Sequence, residues 1–243
     1  MAEIRRFFDS HKPKSTPGII DLALSKVPQG SGVAIDLCCG SGTLIGKLAD
    51  RGYRTCGVDI STRYIGTSNR DSGTFVIADV AIELPFKSNS AVLTCCIDSL
   101  QYFHKPDAVL EEMARLLQPG GTLLLSTQNN YNLVGVKRLI IEALTRRTWS
   151  PWTAHPIENH ITYPWLIKTL ERSGFQIDYV RGRQFLTALV ALLPYFVRNW
   201  SPWKDKPWRS LSGIAQRVAL PGFIEESFLR RFSMIVFVQA RKR

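Results

Sequence analysis

Asp36-Leu37-Cys38-Cys39-Gly40-Ser41-Gly42-Thr43 follows directly on the apolar run Val33-Ala34-Ile35, and its reading decides the fold. A short buried strand closes on an acidic side chain, and a turn of small residues then feeds a helix from Leu44 to Arg51. Gly40 and Gly42 have no Cβ, so the turn's backbone can approach a ligand closely. A second apolar stretch, Thr55-Cys56-Gly57-Val58, ends on Asp59, about 20 residues after the glycines. One strand-turn-helix-strand unit fills that interval and returns an acid beside the turn, where it can accept both hydroxyls of a ribose.

Two adenosine-cofactor classes are open at this point. The glycines read G-x-G-x-x-x-G (Gly40, Gly42, Gly46), one residue off the dinucleotide fingerprint. A pyrophosphate also wants a positive helix N-terminus with no acid in the way. Asp36 stands close to the turn, which is awkward for phosphates and suited to a cation. S-adenosylmethionine carries a sulfonium and an ammonium and no phosphate.

Residues 33–127 resemble the core of a class I S-adenosylmethionine-dependent methyltransferase, of the small-molecule type that includes quinone-biosynthesis enzymes. VAIDLCCGSG (33–42) resembles the family's first motif, D-x-G-x-G-x-G, and GVDIS (57–61) its second. IADVAIELPF (77–86) resembles the third, which implies that Asp79 meets the adenine amino group and Val80 packs beside the ring. SAVLTCCIDSLQYFHKPDAVLEEMARLLQPGGTLLLST (90–127) resembles the fourth strand, the next helix and the turn into the fifth strand. The resemblance implies that Asp36, Cys38, Gly40 and Gly42 cradle the methionine part. It likewise puts Asp59 at the ribose, Asp79, Val80 and Ile97 at the adenine, and Ile60 among the cofactor-binding residues. Cys38 departs from the pattern, standing where the family usually has its first glycine.

The chain of 243 residues is long enough for one full α/β domain. Met1 to Lys14 is short, mixed and charged and reads as no secretory signal. Cys38, Cys39, Cys56, Cys95 and Cys96 have no metal-ligand spacing and sit on or beside expected core strands, which favours a reducing cytoplasm and no metal. Charge is divided unevenly. Residues 1–128 hold 13 Lys+Arg and 13 Asp+Glu, whereas 129–243 hold 18 and 7, hence the whole net charge of +11. All six tryptophans lie in that basic half.

Strands and helices alternate at 33–38, 43–51, 54–59, 62–70, 74–79, 91–97, 106–117 and 121–127. This predicts a Rossmann-like, doubly wound α/β fold whose ligand crevice lies at the strands' carboxyl ends. The resemblance implies seven strands, mostly parallel, with an antiparallel pair at the sheet edge. The expected organisation is one methyltransferase domain over 1–243: an N-terminal helical cover (1–32, helices at 4–8 and 18–27), a cofactor core (33–127), and substrate-side insertions (128–173 and 182–229). Further helices are expected at 133–147 and 164–173, and strands at 175–180 and 233–238.

Methyl transfer needs a nucleophile held in line in a dry pocket, helped by a base when that nucleophile is a hydroxyl. HPIENHITY (155–163) resembles the segment lining the acceptor pocket in quinone and lipid methyltransferases, so His160 and then His155 are the candidate bases. The other reading of His160 is that it braces this loop. Asp98 and Tyr102, after the fourth strand, are candidates to orient the acceptor, the other reading of Tyr102 being a plain wall of the pocket; His104 reads as a surface turn residue.

The apolar run Phe185–Val197 is too short to span a bilayer. With Arg198, Trp200, Trp203, Lys204, Lys206, Trp208 and Arg209 behind it, it reads as a lid helix or a peripheral membrane contact over 185–209. The sequence thus predicts a cytoplasmic enzyme, with peripheral membrane association open, that methylates oxygen or carbon of a small or lipidic acceptor and leaves S-adenosylhomocysteine. The alternatives are a tRNA methyltransferase, suggested by the basic half, and a non-catalytic cofactor-binding protein.

Overall fold

The structure is a computed structural model and describes residue 16 and residues 18–82, 84–146, 159–190, 214–215 and 222–243. Seven strands, β1 (Val33–Leu37), β2 (Arg54–Asp59), β3 (Thr74–Ile77), β4 (Ala91–Cys96), β5 (Leu117–Gln128), β6 (Phe175–Arg183) and β7 (Ile235–Lys242), form one sheet. Their order is β3-β2-β1-β4-β5-β7-β6. The first five are mutually parallel, while β7 runs antiparallel to both β5 and β6. The chain reverses its direction of winding between β1 and β4, and a crevice opens there at the strands' carboxyl ends.

The helices are α1 (Ile19–Ser25), α2 (Thr43–Ala49), α3 (Thr62–Gly66), α4 (Pro106–Leu116), α5 (Leu133–Thr145), α6 (Tyr163–Arg172), α7 (Phe185–Val190) and α8 (Gly222–Glu225). Side chains of a strand alternate between faces, and both faces here are covered. Ile35, Leu123, Leu125, Val236 and Val238 join one core with Leu110 and Met113 of α4 and Leu166 and Leu170 of α6. Ala34, Leu93, Leu124 and Phe237 join the other with Ile19 and Leu22 of α1 and Leu44 and Leu48 of α2.

The differences from the expected boundaries have local causes. The helix expected over 62–70 stops at Gly66 because the hydroxyls of Thr67 and Ser68 donate to the Tyr64 carbonyl, at 2.9 and 3.1 Å. The fifth strand begins at Leu117 rather than 121: Leu117 pairs with Ala91 and Thr122 with Leu93, so Gln118–Gly121 bulge between two paired segments. Strand β7 runs on to Lys242 because it has a partner on both sides. The helix expected at 4–8 lies outside the described residues, as does much of 182–229.

One buried ion pair fixes the loop that leads from β3 toward β4. Glu112 on α4 accepts from Leu84 N at 2.8 Å and from Arg115 at 2.7 Å, and Arg115 donates to the carbonyls of Leu84 and Phe86. Burial works against the Glu112 charge, but the Arg115 guanidinium and the Leu84 N–H outweigh it and hold the carboxyl below its ordinary value of 4.5. An acid with a lowered folded pKa stabilises above its unfolded pKa and loses that contribution as pH falls through the folded value. Replacing Glu112 with Gln is therefore expected to cost about 1–3 kcal/mol at neutral pH, with the deficit closing on acidification. Urea unfolding at neutral and acidic pH checks both parts.

Candidate active site

At the end of β1 the backbone enters the left-handed region at Cys38 (φ 63), Gly40 (φ 54) and Gly42 (φ 83). Cys39 N donates to the Val58 carbonyl at 3.0 Å, which ties the turn to β2. Asp59, the last residue of β2, then accepts from Gly40 N on one oxygen and from Ser61 N on the other, both at 2.8 Å. A Cβ at Gly42 would lie 2.7 Å from the Phe75 ring, so this glycine is required by close packing as well as by its φ. A Cβ at Gly40 would meet nothing within 4 Å, so the backbone there faces open space.

That space consists of two adjoining cavities. The first, of ≈ 210 Å³, is walled by Asp59, Ile60, Asp79, Val80, Phe103 and His104 among others. The second, of ≈ 560 Å³, is walled by Asp36, Cys39, Thr43, Ile97, Gln101 and Gln128 among others. Cys38, Gly40, Tyr64, Asp98, Ser99 and Tyr102 border both. All the expected cofactor residues except Gly42, which packs against Phe75, therefore line this crevice, but Ile97 sits on a different side from the one expected. It lines the second cavity, not the first with Asp79 and Val80. Ile97 packs on the α1 face of the sheet and Val80 on the opposite one.

Carboxylates dominate the electrostatics. Asp36, Asp59, Asp79 and Asp98 all line the crevice, and among the described residues no Lys or Arg lines either cavity. Asp36 is only 3% exposed. Burial, and then the neighbouring Asp59 charge, push its carboxyl well above the ordinary 3.8. Such a site repels pyrophosphate and favours a cation, which fits a phosphate-free sulfonium nucleoside. The thiols add no competing charge: burial drives Cys39 upward, and contact with Cys96 followed by burial does so for Cys38, so both stay protonated and pack as apolar groups.

Asp98, a candidate to orient the acceptor, is occupied by protein. Its φ is 54, one carboxylate oxygen accepts from Ser126 Oγ at 2.7 Å, and the other accepts from Thr16 N at 2.7 Å. It thereby fastens the segment leading into α1 to the end of β5. His160 lines neither cavity; its Nε2 lies 2.9 Å from Glu142 on α5, whose other carboxylate oxygen accepts from Arg138 at 3.0 Å. This is the bracing arrangement. His155 lies outside the described residues, and so does the 185–209 stretch beyond Val190. His104, expected as a surface turn residue, is exposed but rims the first cavity. Sequence reasoning missed Thr16, Tyr64, Gln101 and Gln128 as wall residues. Gln101 is buried, bonded to the Asp98 carbonyl and to Thr127 Oγ1, and only the fold brings these together.

A family profile described as "Methyltransferase domain" matches residues 35–125. The chain is 25% identical over 193 residues to a ubiquinone biosynthesis O-methyltransferase of Xylella fastidiosa, covering 74% of this chain and 77% of that relative. It is 30% identical over 125 residues to a demethylmenaquinone methyltransferase of Bacillus licheniformis, covering 49% and 53%. Among solved structures it resembles the geranyl diphosphate C-methyltransferase of Streptomyces coelicolor, crystallised with S-adenosyl-L-homocysteine. The TM-score is 0.59 at 16% identity, over 92% of this chain and 78% of that one. The acid-lined crevice at the switch between β1 and β4 is built largely from residues 35–125, which match the methyltransferase domain, and the chain is similar there to class I S-adenosylmethionine-dependent methyltransferases.

Proposed function

We propose that this enzyme methylates a hydroxyl of a ring-bearing, lipid-tailed acceptor of the quinone-precursor class. The observation carrying the reading is the second cavity. It is larger than the first and adjoins it, and Ile20, Leu44, Ile97 and Ile235 give it apolar walls among the polar groups of Gln101, Gln128 and Tyr102. Apolar walls with a few fixed polar groups suit a ring with a hydroxyl and a hydrocarbon tail. The O-methyltransferase relatives support oxygen over carbon.

When bound, the cofactor supplies a methyl already activated by its sulfonium. The chain's own residues bind and orient. Asp59, which walls the first cavity beside the glycine turn, would take the ribose hydroxyls. One Asp79 oxygen is held by Ala81 N at 2.9 Å, which leaves capacity for the adenine amino group, with Val80 and Ile60 as apolar walls. Asp36 would meet the cationic part. Cys38, Gly40 and Gly42 let the backbone approach. Tyr102, bordering both cavities, would position the ring. His160, paired with Glu142, acts as a brace for the acceptor-side loop rather than as the base. Catalysis on this reading is mainly positioning in a water-poor cleft.

Asp36 gives the cofactor assignment a pH signature. Its folded pKa is raised, so in the ligand-free protein stability falls as pH rises from the ordinary 3.8 through the folded value. A bound cation favours the ionised carboxylate, so binding releases a proton and affinity rises with pH across the same window. Replacing Asp36 with Asn is expected to stabilise the ligand-free protein at neutral pH, to weaken cofactor binding by about ten- to a hundredfold, and to flatten the pH dependence. Calorimetry in buffers of different ionisation enthalpy measures all three, and wild-type affinity in the variant would remove Asp36 from the site.

The acceptor class is tested by incubating the protein with labelled methyl donor and a polyprenyl-tailed catechol, the same ring without a tail, and tRNA. The expected product is a methyl ether, formed at least tenfold more efficiently (kcat/KM) on the tailed catechol. A C-methylated ring or labelled tRNA would overturn the reading.

A further inference from the structure

Helix α5 is turned inside out for a protein surrounded by water. Leu133, Val136, Leu139, Ile140 and Leu144 are each more than half exposed, up to 80% at Leu144, and Ala143 lies among them. At 100° per residue these six positions cover an arc of roughly 140° with no polar side chain in it. The helix's ion pair points the other way. Arg138 is 3% exposed and bonds Glu142, which in turn meets His160. Charges face the protein and aliphatic groups face the medium, the reverse of the usual surface helix.

The patch does not end with the helix. Tyr131, just before α5, stacks on Phe232 at 5.7 Å, and Phe232 meets Phe228 edge-on at 5.6 Å. Phe228 is itself exposed, with the Arg231 guanidinium 4.8 Å above its ring. Aliphatic, aromatic and cationic groups follow one another as they do in elements that lie in a membrane interface. The charge has the matching sign. From Asn129 to Arg147, beyond the inward-facing Arg138–Glu142 pair, the sequence holds Lys137, Arg146 and Arg147 and no further acid.

We propose that α5, with Tyr131 and Phe228 at its leading end, is the face by which this enzyme lies on an anionic lipid surface. Gln128, which walls the larger cavity, is five residues ahead of Leu133, so the docked face adjoins the crevice. Helix α7, which opens the apolar 185–197 run, packs beside α5. A tail-bearing acceptor then passes from the bilayer into the cavity without crossing water. This purpose rests on the lipidic-acceptor reading; the inverted helix does not.

The test is co-sedimentation of the whole protein with vesicles of equal parts phosphatidylcholine and phosphatidylglycerol, against vesicles of phosphatidylcholine alone. The wild type is expected to bind the anionic vesicles and to be released by salt. The double variant Ile140→Glu/Leu144→Glu is expected to lose at least tenfold in partitioning with an unchanged Tm. Leu144→Trp is expected to bind more tightly, so the proposal stays falsifiable if the double variant misfolds. Methylation of a tail-free acceptor should be unaffected in both variants. Should the wild type fail to methylate the tailed catechol while vesicle binding persists, the acceptor reading falls and the docking face stands. Equal sedimentation of wild type and variants would overturn the docking face. So would a wild-type dimer that these substitutions dissociate, because the occupant would then be a second copy.

Discussion

The Asp59 carboxylate accepts from Gly40 N on one oxygen and from Ser61 N on the other. The ladder between β1 and β2 ends at the Leu37–Val58 pair, and beyond it only the Cys39 N–H to Val58 carbonyl bond continues the pairing. The turn that follows has three residues with positive φ within five positions, a conformation a free chain would hold poorly. Asp59 supplies the missing anchor. An anionic acceptor strengthens both N–H bonds, and its own strand position is fixed by pairing to Ile77 of β3. The same carboxylate thus shapes the glycine turn and faces the cavity beside it. Remove it and the open space at Gly40 is no longer defined.

Strain gathers at the same edge of the sheet. Cys38 and Asp98 are non-glycine residues with positive φ, and they follow the adjacent strands β1 and β4. Each departure costs about 1–2 kcal/mol, and each is held by its side chain. Cys38 lies against Cys96, and Asp98 is bound to Ser126 and Thr16. The bend at Asp98 turns the chain away from the sheet, into the segment that borders both cavities. Its carboxylate then joins β4, β5 and the entry to α1, three stretches far apart in sequence, at the mouth of the crevice.

What the sequence reveals and what it hides divide along the range of the interactions. The Asp36–Thr43 turn and Asp59 were legible because each closes a strand, and strand periodicity with a single acid at the end is a local pattern. Asp79, two residues past β3, was legible from the resemblance of 77–86 to the family's third motif. The parallel core follows from the alternation of strands and helices, whereas the count of seven strands came with the family resemblance. Asp98 shows the limit: its place after β4 was readable, its bonds to Ser126 and Thr16 were not, since they span 28 and 82 residues. Ile97 was set beside the adenine because sequence order places it at the crevice, but which face of the sheet it occupies depends on register. The outward-facing α5 was hidden for a related reason. Helical spacing identifies an apolar stripe and does not say which way it faces.

A cationic cofactor bound by a protein of net charge +11 looks like a conflict of sign. The two charges act at different distances. At physiological salt, fields fade over about 8 Å, so lysines and arginines spread over the second half of the chain do little inside the crevice. There Asp36, Asp59, Asp79 and Asp98 lie close to the ligand space, in a setting dry enough to raise Asp36, and they determine the local potential. The exterior remains positive and the crevice negative. An exterior of that sign attracts anionic surfaces, while a crevice of the opposite sign rejects phosphate-bearing nucleotides, so one chain can meet an anionic surface and still select a sulfonium.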